Sequence, residues 1–140
     1  MKVLKPNFKK RGGLITVVAQ DIRTREILML AYANEAAWRL TLETGIATYY
    51  STSREKIWVK GEESGNSQRV WDVLIDCDGD ALVYLVESLG EGVACHTGAR
   101  SCFYRSVVGR DLGVTAPREG SPERLETTES RVRLELVSSN

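Results

Sequence analysis

Residues 76–105 read DCDGDALVYLVESLGEGVACHTGARSCFYR. All three cysteines of the chain, Cys77, Cys95 and Cys102, and its only histidine, His96, fall inside this stretch. So do three aspartates at alternate positions, Asp76, Asp78 and Asp80. Asp-Gly at 78–79 favours a hairpin turn, and the run ALVYLVE at 81–87 reads as the strand that leaves it. The stretch therefore predicts a β core that carries two sets of metal donors, one of sulfur and one of oxygen.

Three thiolates suit a borderline-soft cation, Zn²⁺ first. Structural zinc sites close with four protein ligands, whereas catalytic ones keep three and a water. Three cysteines and one histidine leave that count open. His96 directly follows Cys95, and neighbours seldom bind one tetrahedral ion without strain. This favours three Cys plus water, with His96 free to move protons. No CxxC knuckle is present, which weakens a zinc-finger reading. The alternatives are three buried apolar thiols, or a disulfide with one thiol left over. The disulfide needs an oxidising compartment, and no secretory segment points to one.

In an extended chain, residues two apart share a face. Asp76, Asp78 and Asp80 would then point one way and repel one another unless a cation such as Mg²⁺ or Ca²⁺ neutralised them. An EF-hand spacing is also present, with Glu87 at position 12, but Ala81 stands where that loop needs glycine and the flanks read as strands. A plain solvated turn remains the alternative.

The chain has 140 residues, enough for one domain, and nineteen basic against nineteen acidic residues. Zero formal charge gives no global pull toward nucleic acid or membrane. With no apolar run near 18 residues and no signal segment, a soluble cytoplasmic protein is expected.

In chain order, residues 1–13 are a basic lead-in. Residues 14–21 (LITVVAQD) and 27–33 (ILMLAYA), joined by the polar IRTRE, suggest a hairpin. Asn34 is a good N-cap, and Gly45 fits the far end of the one helix, whose stripe holds Ala37, Leu40, Trp38 and Leu42. Residues 46–51 and 70–75 read as strands, and 103–108 as the last good one. Between them, STSREKIWVKGEESGNSQ combines hydroxyls, basic side chains and a glycine loop, which together make a phosphate cradle or a polar hairpin with a solvated edge. Residues 110–140 form a polar appendage, with a strand expected at 132–137. One helix and about seven short strands make a β-rich α+β domain over 1–109.

Four ordered blocks carry a resemblance: residues 20–38 (QDIRTREILMLAYANEAAW), 49–68 (YYSTSREKIWVKGEESGNSQ), 76–82 (DCDGDAL) and 94–105 (ACHTGARSCFYR). In these the chain resembles the phosphoribosyl-AMP cyclohydrolases of histidine biosynthesis, over residues 14–107. Thr52 stands where the family has a second arginine. The resemblance implies a small pseudo-barrel of mainly antiparallel strands, capped by one helix, in an intertwined homodimer. It implies hydrolysis of the N1–C6 bond of the adenine ring of 1-(5-phosphoribosyl)-AMP. Zinc would be held by Cys77, Cys95 and Cys102, one ion per subunit at the dimer interface, with Cys77 coming from the other subunit. Magnesium would be held by Asp76, Asp78 and Asp80.

Zinc lowers the pKa of its water from near 16 to about 7, which suits attack on the electron-poor C6. His96 is the candidate proton shuttle, since an ordinary imidazole titrates near 6.5, or else a residue that orients its neighbours. Ser51, Ser53, Arg54, Lys60, Ser64, Gly65 and Asn66 are the candidate phosphate contacts. Trp58 is either a base platform or core. Two rival readings remain: another purine-acting zinc hydrolase, such as a deaminase, and a zinc-stapled binding module. The deaminase signature of His-x-Glu with Pro-Cys-x-x-Cys is absent.

Overall fold

The hairpin expected in the first third forms as β1 (Ile15–Asp21) and β2 (Ile27–Ala33), paired antiparallel. Its connection has no glycine, yet Arg25 adopts a left-handed φ of 66°. Asp21 makes this possible. Its Oδ1 accepts the N–H groups of Arg23 and Thr24 at 2.8 and 2.9 Å, and its carbonyl accepts that of Arg25 at 2.9 Å. A side-chain turn thus does what glycine usually does. The computed structural model describes residues 5–107 and the backbone of residues 115–117. The strand expected at 132–137 lies outside the described residues.

Asn34 caps α1 (Glu35–Thr44) by accepting from the Ala37 N–H at 2.9 Å, and Gly45 ends it at φ 74°. The helix buries Ala37 and Thr41, not the expected Leu40 and Leu42, which are exposed. Thr41 sets the contact line. Its hydroxyl accepts from the Thr48 N–H at 3.0 Å and faces the carbonyls of Ala37 and Thr48 at 3.1 and 3.2 Å. Leu42 lies about 100° further round the helix and so turns to solvent.

The helix packs on β3 (Thr48–Ser51), which pairs with β4 (Lys56–Val59). With β5 (Gln68–Ile75) and β6 (Ala81–Ser88), the six-stranded sheet has the order β4-β3-β2-β1-β6-β5. All its neighbours are antiparallel except β1 and β6, which run parallel. The sheet curls into a half-barrel. Its far strand returns to the segment before β3, where the Ala47 N–H donates to Gln68 O and that of Val70 to Gly45 O, at 2.9 and 2.8 Å. The expected β-rich α+β class with one helix is therefore what forms. The strand expected at 103–108 shrinks to β7 (Arg105–Val107), which pairs outside the main sheet with β8 (Thr115–Pro117).

The concave face holds the core, including Ile15, Val17, Leu28, Tyr49, Leu82, Tyr84 and Val86. Tyr49 anchors it: the ring lies 5.0 Å from Trp58 and 6.0 Å from Tyr84, and the hydroxyl donates to Gln68 Oε1 at 2.7 Å. The other face is not polar. Register aligns Leu30, Val18, Val83 and Leu74 in one row across β2, β1, β6 and β5. Leu30 and Leu74 remain 48% and 46% exposed.

Candidate active site

The segment 94–102 is a tight turn laid against the start of β2. The Ala94 N–H donates to Arg100 O and that of Cys95 to Ala99 O, both at 3.1 Å. Gly98, at φ 89°, closes the turn. Arg100 grips Glu26 with two bonds of 2.6 and 2.9 Å, Ser101 Oγ donates to Ile27 O at 2.7 Å, and the Cys102 N–H donates to Leu28 O at 2.7 Å. These ties bring Cys95 and Cys102 together, close enough for each thiol to perturb the other. Burial pushes Cys102 up to about 11, and negative charge on Cys95 adds to this. Burial opposes ionisation of Cys95 as well. It is outweighed by the Thr97 hydroxyl, which donates to Sγ at 3.0 Å, by the Thr97 amide, and by the Cys102 thiol and Lys60 charge, so this thiol falls below its usual range. The pair therefore holds one thiol whose neighbours favour its ionisation and one whose burial opposes it, a donor set that fits zinc.

Cys77 is elsewhere. It lies exposed in the turn between β5 and β6, where the Asp76 N–H donates to Ala81 O and Ala81 pairs with Thr16. Cys102 sits at Leu28, beside the Ala19–Gln20 end of β1. Thr16 and the Ala19–Gln20 step lie roughly 10–13 Å apart along β1 at about 3.3 Å per residue. Among the described residues, only Asp76, Asp78 and Asp80 form a group of three potential ligands on mutually close atoms. One chain thus brings two of its three thiols together.

The aspartates converge, but not as the alternation of an extended strand suggests. They occupy a turn with Gly79 at φ 76°. Asp76 Oδ1 accepts the N–H groups of Asp80 and Ala81 at 3.0 and 3.2 Å, which wraps the segment round its own first residue. One carboxylate oxygen from each lies within 4.8 Å of the others. Two cations from the lead-in already sit on them. Lys10 Nζ bonds Asp78 and lies 3.6 Å from Asp80, while Arg11 Nε donates to Asp80 at 3.0 Å. The Lys10 hydrogen bond holds Asp78 down to about 2. Asp78 thus stays ionised, and three converging carboxylates that already attract two cations suit a hard divalent ion.

A cavity of about 460 Å³ opens beside the thiol turn. Ser51, Arg54, Lys56, Trp58, Ser64 and His96 line it together with Glu62 and Glu63. Of the expected phosphate contacts, Ser51, Arg54 and Ser64 face this space, and Ser53 Oγ lies 3.3 Å from Ser51 Oγ. Gly65 and Asn66 shape the loop instead. The Gly65 N–H donates to Gly61 O at 2.8 Å, and Asn66 Oδ1 accepts from the Glu91 N–H at 2.9 Å. Gly90 presses so closely on that loop that a Cβ there would lie 2.5 Å from Gly65 O. Lys60 does not line the cavity; its Nζ donates to Ala94 O at 2.8 Å. Lys56 and Trp58 share one face of β4 by strand alternation, a signal present in the sequence. Trp58 walls the cavity while its ring packs on Tyr49.

A family model described as phosphoribosyl-AMP cyclohydrolase matches residues 29–104. Among similar proteins, the phosphoribosyl-AMP cyclohydrolase of Methanoregula boonei is 61% identical over 102 residues, covering 73% of this chain and 81% of that one. The one from Methanothermobacter thermautotrophicus is 64% identical over 101 residues, 72% of each chain. A histidine biosynthesis bifunctional protein of Aquifex aeolicus is 49% identical over 130 residues, 93% of this chain and 62% of its own length.

Proposed function

The chain belongs to the phosphoribosyl-AMP cyclohydrolase family, an enzyme family of histidine biosynthesis, and from that premise we propose how its residues perform the reaction. The substrate is 1-(5-phosphoribosyl)-AMP. Water adds at C6 of its adenine ring, the C6–N1 bond breaks, and N1 takes a proton, giving the formimino-carboxamide ribotide. The observation that carries the reading is His96 on the wall of a cavity that Arg54, Lys56, Ser51 and Ser64 also line, directly beside the Cys95–Cys102 pair.

Zinc held by Cys95, Cys102 and the Cys77 of a second copy would supply hydroxide at neutral pH. His96 accepts the proton released from the attacking water and returns it to N1, a transfer worth about 10²–10⁴-fold in rate. Arg54, Lys56 and the Ser51, Ser53 and Ser64 hydroxyls hold a phosphate, with Gly65 and Asn66 keeping the loop in shape. Trp58 offers a ring edge or face to the base.

Two observations support a homodimer. The apolar row on the second face of the sheet would be covered by another copy, and Cys77 lies too far from its partners within one chain. Cys77 stands between Asp76 and Asp78, so whichever cavity receives it receives the aspartates too. Magnesium on Asp76, Asp78 and Asp80 would then lie near the substrate of the other copy and bind its second phosphate, displacing Lys10 and Arg11. No described helix is long and apolar enough to cross a membrane; we place the reaction in the cytoplasm.

Incubating the purified protein with phosphoribosyl-AMP tests this reading. The ring-opened product should form without ammonia, and chelation should stop the reaction until zinc is returned. Release of ammonia would identify a deaminase, and activity that survives complete zinc removal would remove the metal from the account.

A further inference from the structure

We propose that Lys60 is a positioning residue of the thiol site, fixing the turn that carries Cys95 and standing as the counter-charge of the Cys95–Cys102 pair, rather than a ligand of the substrate phosphate. The inference rests on the reading that these thiols hold zinc.

Lys60 directly follows β4, and its own N–H is fixed on Ala47 O at 3.0 Å. Arg54 and Lys56, earlier on the same hairpin, face the cavity, whereas the Lys60 side chain turns inward and is half-buried. Its Nζ meets the carbonyl of Ala94, a residue only 4% exposed. That carbonyl belongs to the peptide unit that enters Cys95. Holding it sets the plane from which the Cys95 side chain departs.

One carbonyl is a poor reward for bringing an ammonium out of water, because a buried charge needs an opposite charge. No carboxylate is paired with Lys60 among the described residues; the groups whose negative charge, once formed, acts on it are the thiols of Cys102 and Cys95. An ammonium has three donors, so the bond to Ala94 O leaves two unspent beside the thiol pair. Three thiolates exceed the charge of one Zn²⁺ by one, and a fixed cation beside them offsets that excess in a partly buried site. Arginine would keep the charge, but its planar fork does not reproduce a compact donor on a single carbonyl.

The test compares Lys60→Met, Lys60→Arg and Arg54→Met in the full chain. Zinc affinity is measured by competition with a chromophoric chelator, KM and kcat with phosphoribosyl-AMP, and folding by circular dichroism. Lys60→Met should weaken zinc binding about 10–100-fold with KM unchanged on the zinc-loaded enzyme, as loss of a group supporting metal ligands does. Lys60→Arg should recover part of the affinity. Arg54→Met should raise KM and leave zinc binding alone. If Lys60→Met keeps wild-type zinc affinity and raises KM, Lys60 is a phosphate ligand and the inference fails. If the wild-type protein itself binds no zinc, the thiol reading and this inference fall together.

Discussion

Replacing Cys102 with alanine is expected to abolish ring opening while leaving the chain folded. Cys102 is exposed as a residue although its thiol is partly shielded, and the bond that ties its position to β2 comes from its backbone N–H, which alanine retains. Surface changes of this kind usually alter stability by no more than about 0.5 kcal/mol. The effect on chemistry is of another order. The Cys102 thiol sits near 11, so at neutral pH it becomes a thiolate donor only when a metal takes the place of its proton. Without that donor the proposed zinc site would lose a ligand, and with it the supply of hydroxide. Metal content and turnover should fall together, the rate by several orders of magnitude toward that of unactivated water. Thermal melting and metal analysis on one preparation check this. A folded, zinc-free Cys102→Ala protein that still turns over at the normal rate would contradict it.

The second large effect lies far from the chemistry. Leu30→Lys combined with Leu74→Lys should yield a folded monomer without zinc or activity. Both side chains lie at the surface of the single chain, at 48% and 46% exposure, so lysine is accommodated there. Against a second copy, the same ammonium groups would enter a dry row continued by Val18 and Val83. Burying an unpaired cation costs several kcal/mol, enough to weaken association by two orders of magnitude or more. The loss of activity follows because Cys77 then has no second copy to complete. Sedimentation and zinc analysis decide the matter. A double variant that remains an active dimer would show that copies meet elsewhere.

What was legible in the sequence was local. Asn34 and Gly45 bound the helix because caps answer only to their nearest amides. Asp21 shaped its turn for the same reason, though IRTRE carries no glycine to announce it. The Asp76–Asp80 turn is legible in the sequence, but strand alternation does not explain the convergence of its carboxylates. It comes instead from Asp76 Oδ1 gathering two backbone N–H groups. Features that depend on distant partners were not legible. The parallel pairing of β1 with β6 joins segments some sixty residues apart, and nothing in either run specifies it. Lys10 and Arg11 read as a basic lead-in, yet they pair with aspartates 68 and 69 residues further along the chain. Leu40 and Leu42 fit an apolar stripe by composition, but Thr41, with its three polar contacts, chose the buried face. Lys60 stands among the candidate phosphate contacts by its company in the chain, and its bond to Ala94 O, 34 residues on, is not legible there.

Two inactive proteins, Cys77→Ala and Cys102→Ala, put the central claim to its most direct trial when they are mixed and allowed to exchange subunits. In a mixed dimer, the Cys102→Ala chain offers its intact Cys77 to the intact Cys95–Cys102 pair of the other. One of its two sites is then whole. Statistical exchange makes half the dimers mixed, so the mixture should regain about a quarter of wild-type activity from components that have none alone. No recovery, with exchange demonstrated by mass, would mean that each zinc site is built within a single chain.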